Sequence, residues 1–195
     1  MFGFFGGGAV AFFMCAWLTP PAFVENWQFG AWGEEATARA LQPLERDGWV
    51  VWHDLTAGRG NVDHVAVGPG GIFLMGSKRL RGVVNVDGSA VTVTRLDDPD
   101  LSYEFTGSRH VQGLALQAHS RLATGSKIQQ CVQPGVVFWC DFPKGLVEDQ
   151  RCTYVHGDAL AEWMAGQPQR IAPSRVTHLA EALRASWEDA EKQLT

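Results

Sequence analysis

Residues 62–67 (Val-Asp-His-Val-Ala-Val) and 72–75 (Ile-Phe-Leu-Met) are two β-prone runs separated by Gly68-Pro69-Gly70-Gly71. Glycine and proline at those positions punctuate the chain, and apolar runs of this length on either side read as strands, so the stretch predicts a β-hairpin. A hairpin returns its two open ends to the same place. This one has Asp63 near the start of its first arm and Lys78 just past the end of its second, so a carboxylate and an ammonium group are expected at one sheet edge. His64 follows Asp63 in the strand and points to the opposite face, which suits packing or hydrogen bonding better than catalysis.

The other elements follow from periodicity. Residues 32–46 show a helical pattern with Ala36, Ala40, Leu41 and Leu44 on one apolar face. Glu34 and Glu35 stand in its first turn, where the helix dipole favours negative charge, and Pro43 is expected to kink or shorten its end. Residues 49–52 read as a short strand, with 53–60 as its connection to the hairpin. Residues 83–86 and 90–94 flank Asp87-Gly88, a second hairpin signal. The acidic stretch 97–107 reads as an exposed loop and 108–123 as a helix carrying Gln112 and Gln117. Residues 135–140 form an apolar strand, with 152–155 the best candidate to pair with it. Helices are expected at 158–165 and 173–193, the second with Val176, Leu179, Leu183 and Trp187 on one stripe. This order predicts an α/β domain in which helices flank a mixed central sheet.

At 195 residues with 46% hydrophobic content, the chain suits one cored domain with an appendage. A net charge of −5 argues against a protein that coats nucleic acid through overall positive charge. Phosphate contacts would have to come from local cations, and Arg59, Lys78, Arg79 and Arg81 cluster about the hairpin. Cys15, Cys131, Cys140 and Cys152 have no zinc-type spacing and are expected to be buried, reduced thiols. The hairpin turn is not a phosphate loop, because Phe73 stands where the last glycine is required and no Gly-Lys-Ser/Thr follows. Without a Gly-x-Ser-x-Gly elbow, a serine hydrolase has no support.

Residues 2–18 are apolar or glycine with no charge, and the first charged side chain is Glu25. A membrane span needs roughly 17 to 25 residues. A cleaved signal peptide would want a basic leading region, which is missing, and three consecutive glycines suit a buried helix poorly. A single membrane anchor over residues 1–22, ended by Thr19-Pro20-Pro21, accounts for the segment best, with the domain over 23–195. Because lysine and arginine occur only after the segment, the domain is expected on the cytoplasmic side.

Asn61-Val62-Asp63-His64, the Gly68-Pro69-Gly70-Gly71 turn, and an apolar strand running to Gly76-Ser77-Lys78 with Gly82 closing the segment together resemble the central block of the nuclease-related domain (NERD) family. Gly30-Ala31-Trp32-Gly33-Glu34 resembles that family's first-helix motif. The family is grouped with the PD-(D/E)xK nucleases, so the resemblance implies a restriction-endonuclease-like core and metal-dependent hydrolysis of DNA phosphodiesters. It implies Glu34 and Asp63 as ligands to Mg²⁺ or Mn²⁺, the backbone carbonyl of Ser77 as a further oxygen, and Lys78 facing the attacking water. Arg79 and Arg81 become candidate phosphate contacts, and Gln112 matches, loosely, a glutamine that the wider group places beside the site.

One position departs from that pattern. The family's second carboxylate belongs where this chain has Gly76. Either Glu35 or Asp54 replaces it from a neighbouring element, or the fold serves as a catalytically inactive nucleic-acid- or protein-binding module. A membrane-tethered scaffold without any nucleic-acid role also fits the acidic charge.

Overall fold

The computed structural model describes residues 22–57, 60–125 and 128–192, so residues 1–21, which make up nearly all of the expected anchor, lie outside the described residues, as does Arg59. The first helix, α1, spans Ala22–Arg46. It begins ten residues earlier than its apolar pattern suggests and runs on through Pro43 without ending there. The strands are β1 (Val50–Ala57), β2 (Gly60–Gly68), β3 (Gly71–Lys78), β4 (Gly82–Asp87), β5 (Ala90–Arg95) and β6 (Ser102–Glu104). Helix α2 (Gly107–Gly125) precedes β7 (Val132–Phe138), β8 (Leu146–Glu148) and β9 (Thr153–His156). A single 3₁₀ turn, Gly157–Ala159, leads into α3 (Leu160–Ala165), and α4 spans Pro173–Lys192. Among the described residues, no helix is long and apolar enough to cross a membrane.

Six strands form a mixed central sheet in the order β1-β2-β3-β7-β9-β8, while β4-β5-β6 form a separate three-stranded sheet. The hairpin is as expected, antiparallel with Gly68 opposite Gly71. A Cβ on Gly68 would lie 2.0 Å from the Trp49 ring, so only glycine lets that indole lie across the turn. β3 then pairs parallel with β7, and β7 with β9. A parallel pair needs a crossover connection, which here contains the second sheet and α2.

The pleat separates two cores. Ala66, Phe73 and Met75 pack with Leu41 and Leu44 of α1 and Met164 of α3. Val65, Ile72 and Leu74 pack on the other face with Leu114 and Leu122 of α2 and Leu183 of α4. Helices therefore flank both faces of a mixed sheet, as expected.

Three expectations need correction. Residues 53–57 are not a connection but the second half of β1, paired from Val50 opposite Val67 to Ala57 opposite Gly60. The 97–107 loop holds β6, a three-residue strand of exposed residues that pairs with β5 and so gave no buried apolar run to read. Nor are all the cysteines buried: Cys152 is, Cys140 is half-buried and Cys131 is exposed, while Cys15 lies outside the described residues.

Candidate active site

Asp63 stands on β2 just beyond His64, which lies opposite Met75 and is the last residue paired with β3. There the Asp63 Oδ2 accepts a hydrogen bond from the Ser77 backbone N–H at 2.8 Å and lies 3.9 Å from Lys78 Nζ. The hairpin thus delivers the carboxylate and the ammonium to one edge. The backbone geometry of β3 explains the rest of this arrangement. Lys78 turns its carbonyl toward β7, where it accepts from the Trp139 N–H at 2.9 Å. Successive residues of a strand present their backbone groups to opposite sides, so Ser77 directs its N–H, and its carbonyl with it, toward β2 and Asp63.

Glu34 reaches this edge from α1. Its preceding residue, Gly33, lies directly over the end of β3, with a built Cβ 3.7 Å from the Arg79 N and 3.9 Å from the Ser77 Cβ. Partial burial raises the Glu34 carboxyl above its ordinary pKa, the Asp63 charge raises it further, Lys78 opposes the shift and Asp54 adds a smaller rise. Glu34, Asp63 and Lys78 are therefore electrostatic neighbours, gathered from three elements.

Gly76 lies on the same face as Asp63. A Cβ there would lie 3.8 Å from the Asp63 Oδ2 but only 2.8 Å from Val111 Cγ2 of α2. Val111 thus occupies part of the space that a side chain at position 76 would need. Of the two substitute acids, Glu35 points away on an exposed α1 face and pairs with Arg39 at 3.6 Å. Asp54 is closer to the site. It holds a left-handed backbone conformation (φ 57°) on β1, accepts a hydrogen bond from the Asn61 side-chain amide, and its charge is felt at Glu34. Among the described residues, no three His, Cys, Asp or Glu side chains gather closely enough to hold a metal ion.

The candidate phosphate contacts separate. Arg79 lies 4.0 Å over the indole of Trp32, which is itself half exposed beside Gly33. Arg81 is exposed at the start of β4, within electrostatic reach of Asp97. Gln112 lines a cavity of about 340 Å³ with Cys131 and Arg151, and Val111 is the α2 residue that faces Gly76.

Behind the site, sequence reasoning missed a buried polar chain. His64 sits with its Nε2 3.0 Å from Ser77 Oγ and its Nδ1 2.7 Å from His53 Nδ1. Ser77 Oγ donates to Thr37 Oγ1 at 2.6 Å, the Trp139 indole N–H donates to the same oxygen at 2.8 Å, and Thr37 donates to the Gly33 carbonyl at 3.0 Å. Burial, and then the neighbouring His53, lowers the His64 pKa to about 3, so its imidazole is neutral. The available signal was the strand alternation that set His64 opposite Asp63; the side chains linked here lie 11 to 102 residues apart along the chain and could not be read locally.

Residues 29–139 match the family model described as the nuclease-related domain (NERD), a span that includes Glu34, Asp63 and Lys78 and ends on Trp139. No curated protein and no solved structure matches the chain significantly. With more than half of its length in that match, the chain belongs to the nuclease-related domain family.

Proposed function

We propose that the chain is a metal-dependent nuclease of the PD-(D/E)xK type on a restriction-endonuclease-like core, cutting DNA phosphodiester bonds with Glu34, Asp63 and Lys78. The observation that carries this reading is the contact of Asp63 with Lys78 at 3.9 Å, with Glu34 electrostatically coupled to both. Two acids, with the Asp63 charge raising the Glu34 pKa, next to a backbone carbonyl turned the same way, form an oxygen-only donor set that fits a hard divalent cation. Glu34, Asp63 and the Ser77 carbonyl would hold Mg²⁺ or Mn²⁺. When bound, such an ion supplies charge stabilisation at the phosphoryl oxygens and lowers the pKa of water.

The protein's own groups do the rest. The Ser77 N–H holds one oxygen of Asp63 and so fixes the plane of its carboxylate. Lys78, partly exposed, directs its ammonium into the same space, where it hydrogen-bonds water and offsets charge that builds up on the phosphate. Glu34 keeps its proton to a higher pH than an ordinary glutamate, so ion binding strengthens as pH rises through its raised pKa. Arg79, stacked on Trp32, and Arg81 present cationic groups to the DNA backbone. Residues 2–18 attach the domain to the membrane with residues 23–195 on the cytoplasmic side.

The test is Mg²⁺- or Mn²⁺-dependent nicking of supercoiled DNA by the full chain. Loss of nicking in both Asp63→Ala and Lys78→Ala is expected, and undiminished nicking in both removes this site from consideration. A second reading, a DNA-binding module without turnover, is favoured by the glycine at position 76 and by Val111 lying 2.8 Å from where its Cβ would be. It predicts salt-dependent DNA affinity with no cleavage by the wild-type chain.

A further inference from the structure

Each of the three proposed site residues has a chain neighbour in the buried polar network. Glu34 follows Gly33, whose carbonyl accepts from Thr37; Asp63 precedes His64; Lys78 follows Ser77. We propose that Thr37, His64 and Ser77, closed at one end by His53 and at the other by Trp139, are positioning residues that lock α1, β2 and β3 in register and so set the spacing of Glu34, Asp63 and Lys78. The proposal rests on the nuclease reading for its consequence, but the network itself has a structural signature that stands without it.

That signature is a single allowed direction for every proton. The Trp139 indole N–H can only donate, and the Gly33 carbonyl can only accept. Thr37 has one hydroxyl proton; given to Gly33, it leaves Thr37 Oγ1 to accept from both Trp139 and Ser77. Ser77 has then used its own proton and must accept from His64, which fixes the His64 proton on Nε2. The Nδ1 of neutral His64 is left as an acceptor, so His53 must donate from its Nδ1 across 2.7 Å. With one proton on the His64 ring, all five contacts are satisfied together only in this arrangement, which leaves no inward-facing polar atom of the set unpaired. Thr37, His64 and Ser77 are buried, while His53 at one end is exposed and Trp139 at the other is half-buried. A buried core with every member satisfied specifies one geometry, because a shift among these three leaves a group without a partner in a low-dielectric setting.

Thr37→Val tests this, since it keeps the side-chain shape while removing both the donor and the acceptor, and Thr37 touches none of the proposed reacting groups. In the ¹⁵N-labelled full chain, the ring nitrogens of wild-type His64 are expected to report the Nε2–H tautomer and those of His53 a protonated Nδ1. Thr37→Val is expected to speed hydrogen exchange at the Ser77 amide, the one bonded to Asp63, while the Val155 amide on the far strand stays protected. Thr37→Ser is expected to restore it. Mn²⁺ affinity measured by calorimetry should fall about tenfold in Thr37→Val and return in Thr37→Ser, the size expected when an outer partner of a ligand is lost. A wild-type His64 carrying its proton on Nδ1, or a Ser77 amide equally protected in Thr37→Val, overturns the positioning role. A wild-type chain that binds no Mn²⁺ but passes both spectroscopic tests instead overturns the nuclease reading and leaves the network standing.

Discussion

On one face of β2, the Asp63 carboxylate holds a backbone N–H at 2.8 Å and faces an ammonium 3.9 Å away, with Glu34 pressing a second acid toward it. One residue later and on the other face, His64 is 1% exposed and both of its ring nitrogens are engaged. The same strand thus carries an electrostatically incomplete edge and a hydrogen-bonded interior that is complete. The difference shows how an edge of repelling charges can still be held in shape: the acids do not hold each other, and the order comes from the neutral side of the sheet.

The largest expected effect lies on the incomplete face. Asp63→Ala or Lys78→Ala should cost about 10²- to 10³-fold in the rate of DNA nicking, the scale of losing one group that stabilises transition-state charge. Thermal unfolding of Lys78→Ala should move little, since Lys78 is partly exposed. A large drop in Tm instead would mean that the edge is structural and the contrast is wrong.

The complete face answers to pH. The folded-state pKa of His64 is lowered to about 3 from an ordinary value of 6.5, so the unfolded chain binds the proton more readily. Its contribution to stability is therefore whole above about pH 6.5 and is lost as pH falls toward 3, roughly 3 kcal/mol of it between pH 7 and pH 4. Urea denaturation at those two pH values measures this, and His64→Gln should flatten the dependence by that amount. An unchanged slope in the variant would place the acid sensitivity elsewhere.

Gly76 and Val111 offer a way to make the faces more alike. Gly76→Asp alone should destabilise by about 1–3 kcal/mol, because its Cβ meets Val111. With Val111→Ala added, the stability loss should shrink and Mn²⁺ affinity should rise above that of the wild type. If affinity does not rise, a carboxylate at 76 is not what the edge lacks. The smallest effect is expected at the rim. Trp32→Ala removes the surface under Arg79 and should weaken DNA binding only about two- to fivefold in a low-salt titration, in keeping with an exposed cation–π contact.

Much of this architecture was legible in the residues. The Gly68-to-Gly71 turn and the alternation around it gave the hairpin, and through it the meeting of Asp63 and Lys78. Helix α4 followed from its apolar stripe of Val176, Leu179, Leu183 and Trp187. What local pattern could not supply was decided at a distance. His53 and Asp54 looked like loop residues because they are polar, yet they form part of β1. The valines of β4 and β5 announced a hairpin but not that it would leave the central sheet. Three-residue strands such as β8 exist only because a neighbour is there to pair with. Within the site, Val111 and Thr37 were invisible for the same reason: each matters through a contact with a residue more than thirty positions away.

The indole of Trp139 meets Thr37 across 102 residues of chain, and β7 is the strand that brings it there. During synthesis α1 and the first hairpin leave the ribosome long before that partner exists. Local pairing can form early, but contacts this far apart carry the greatest loop-closure cost and form late. The edge that holds Glu34, Asp63 and Lys78 should therefore mature only after β7 has docked, so a nascent chain stopped short of Trp139 would carry every proposed reacting group while being unable to arrange them.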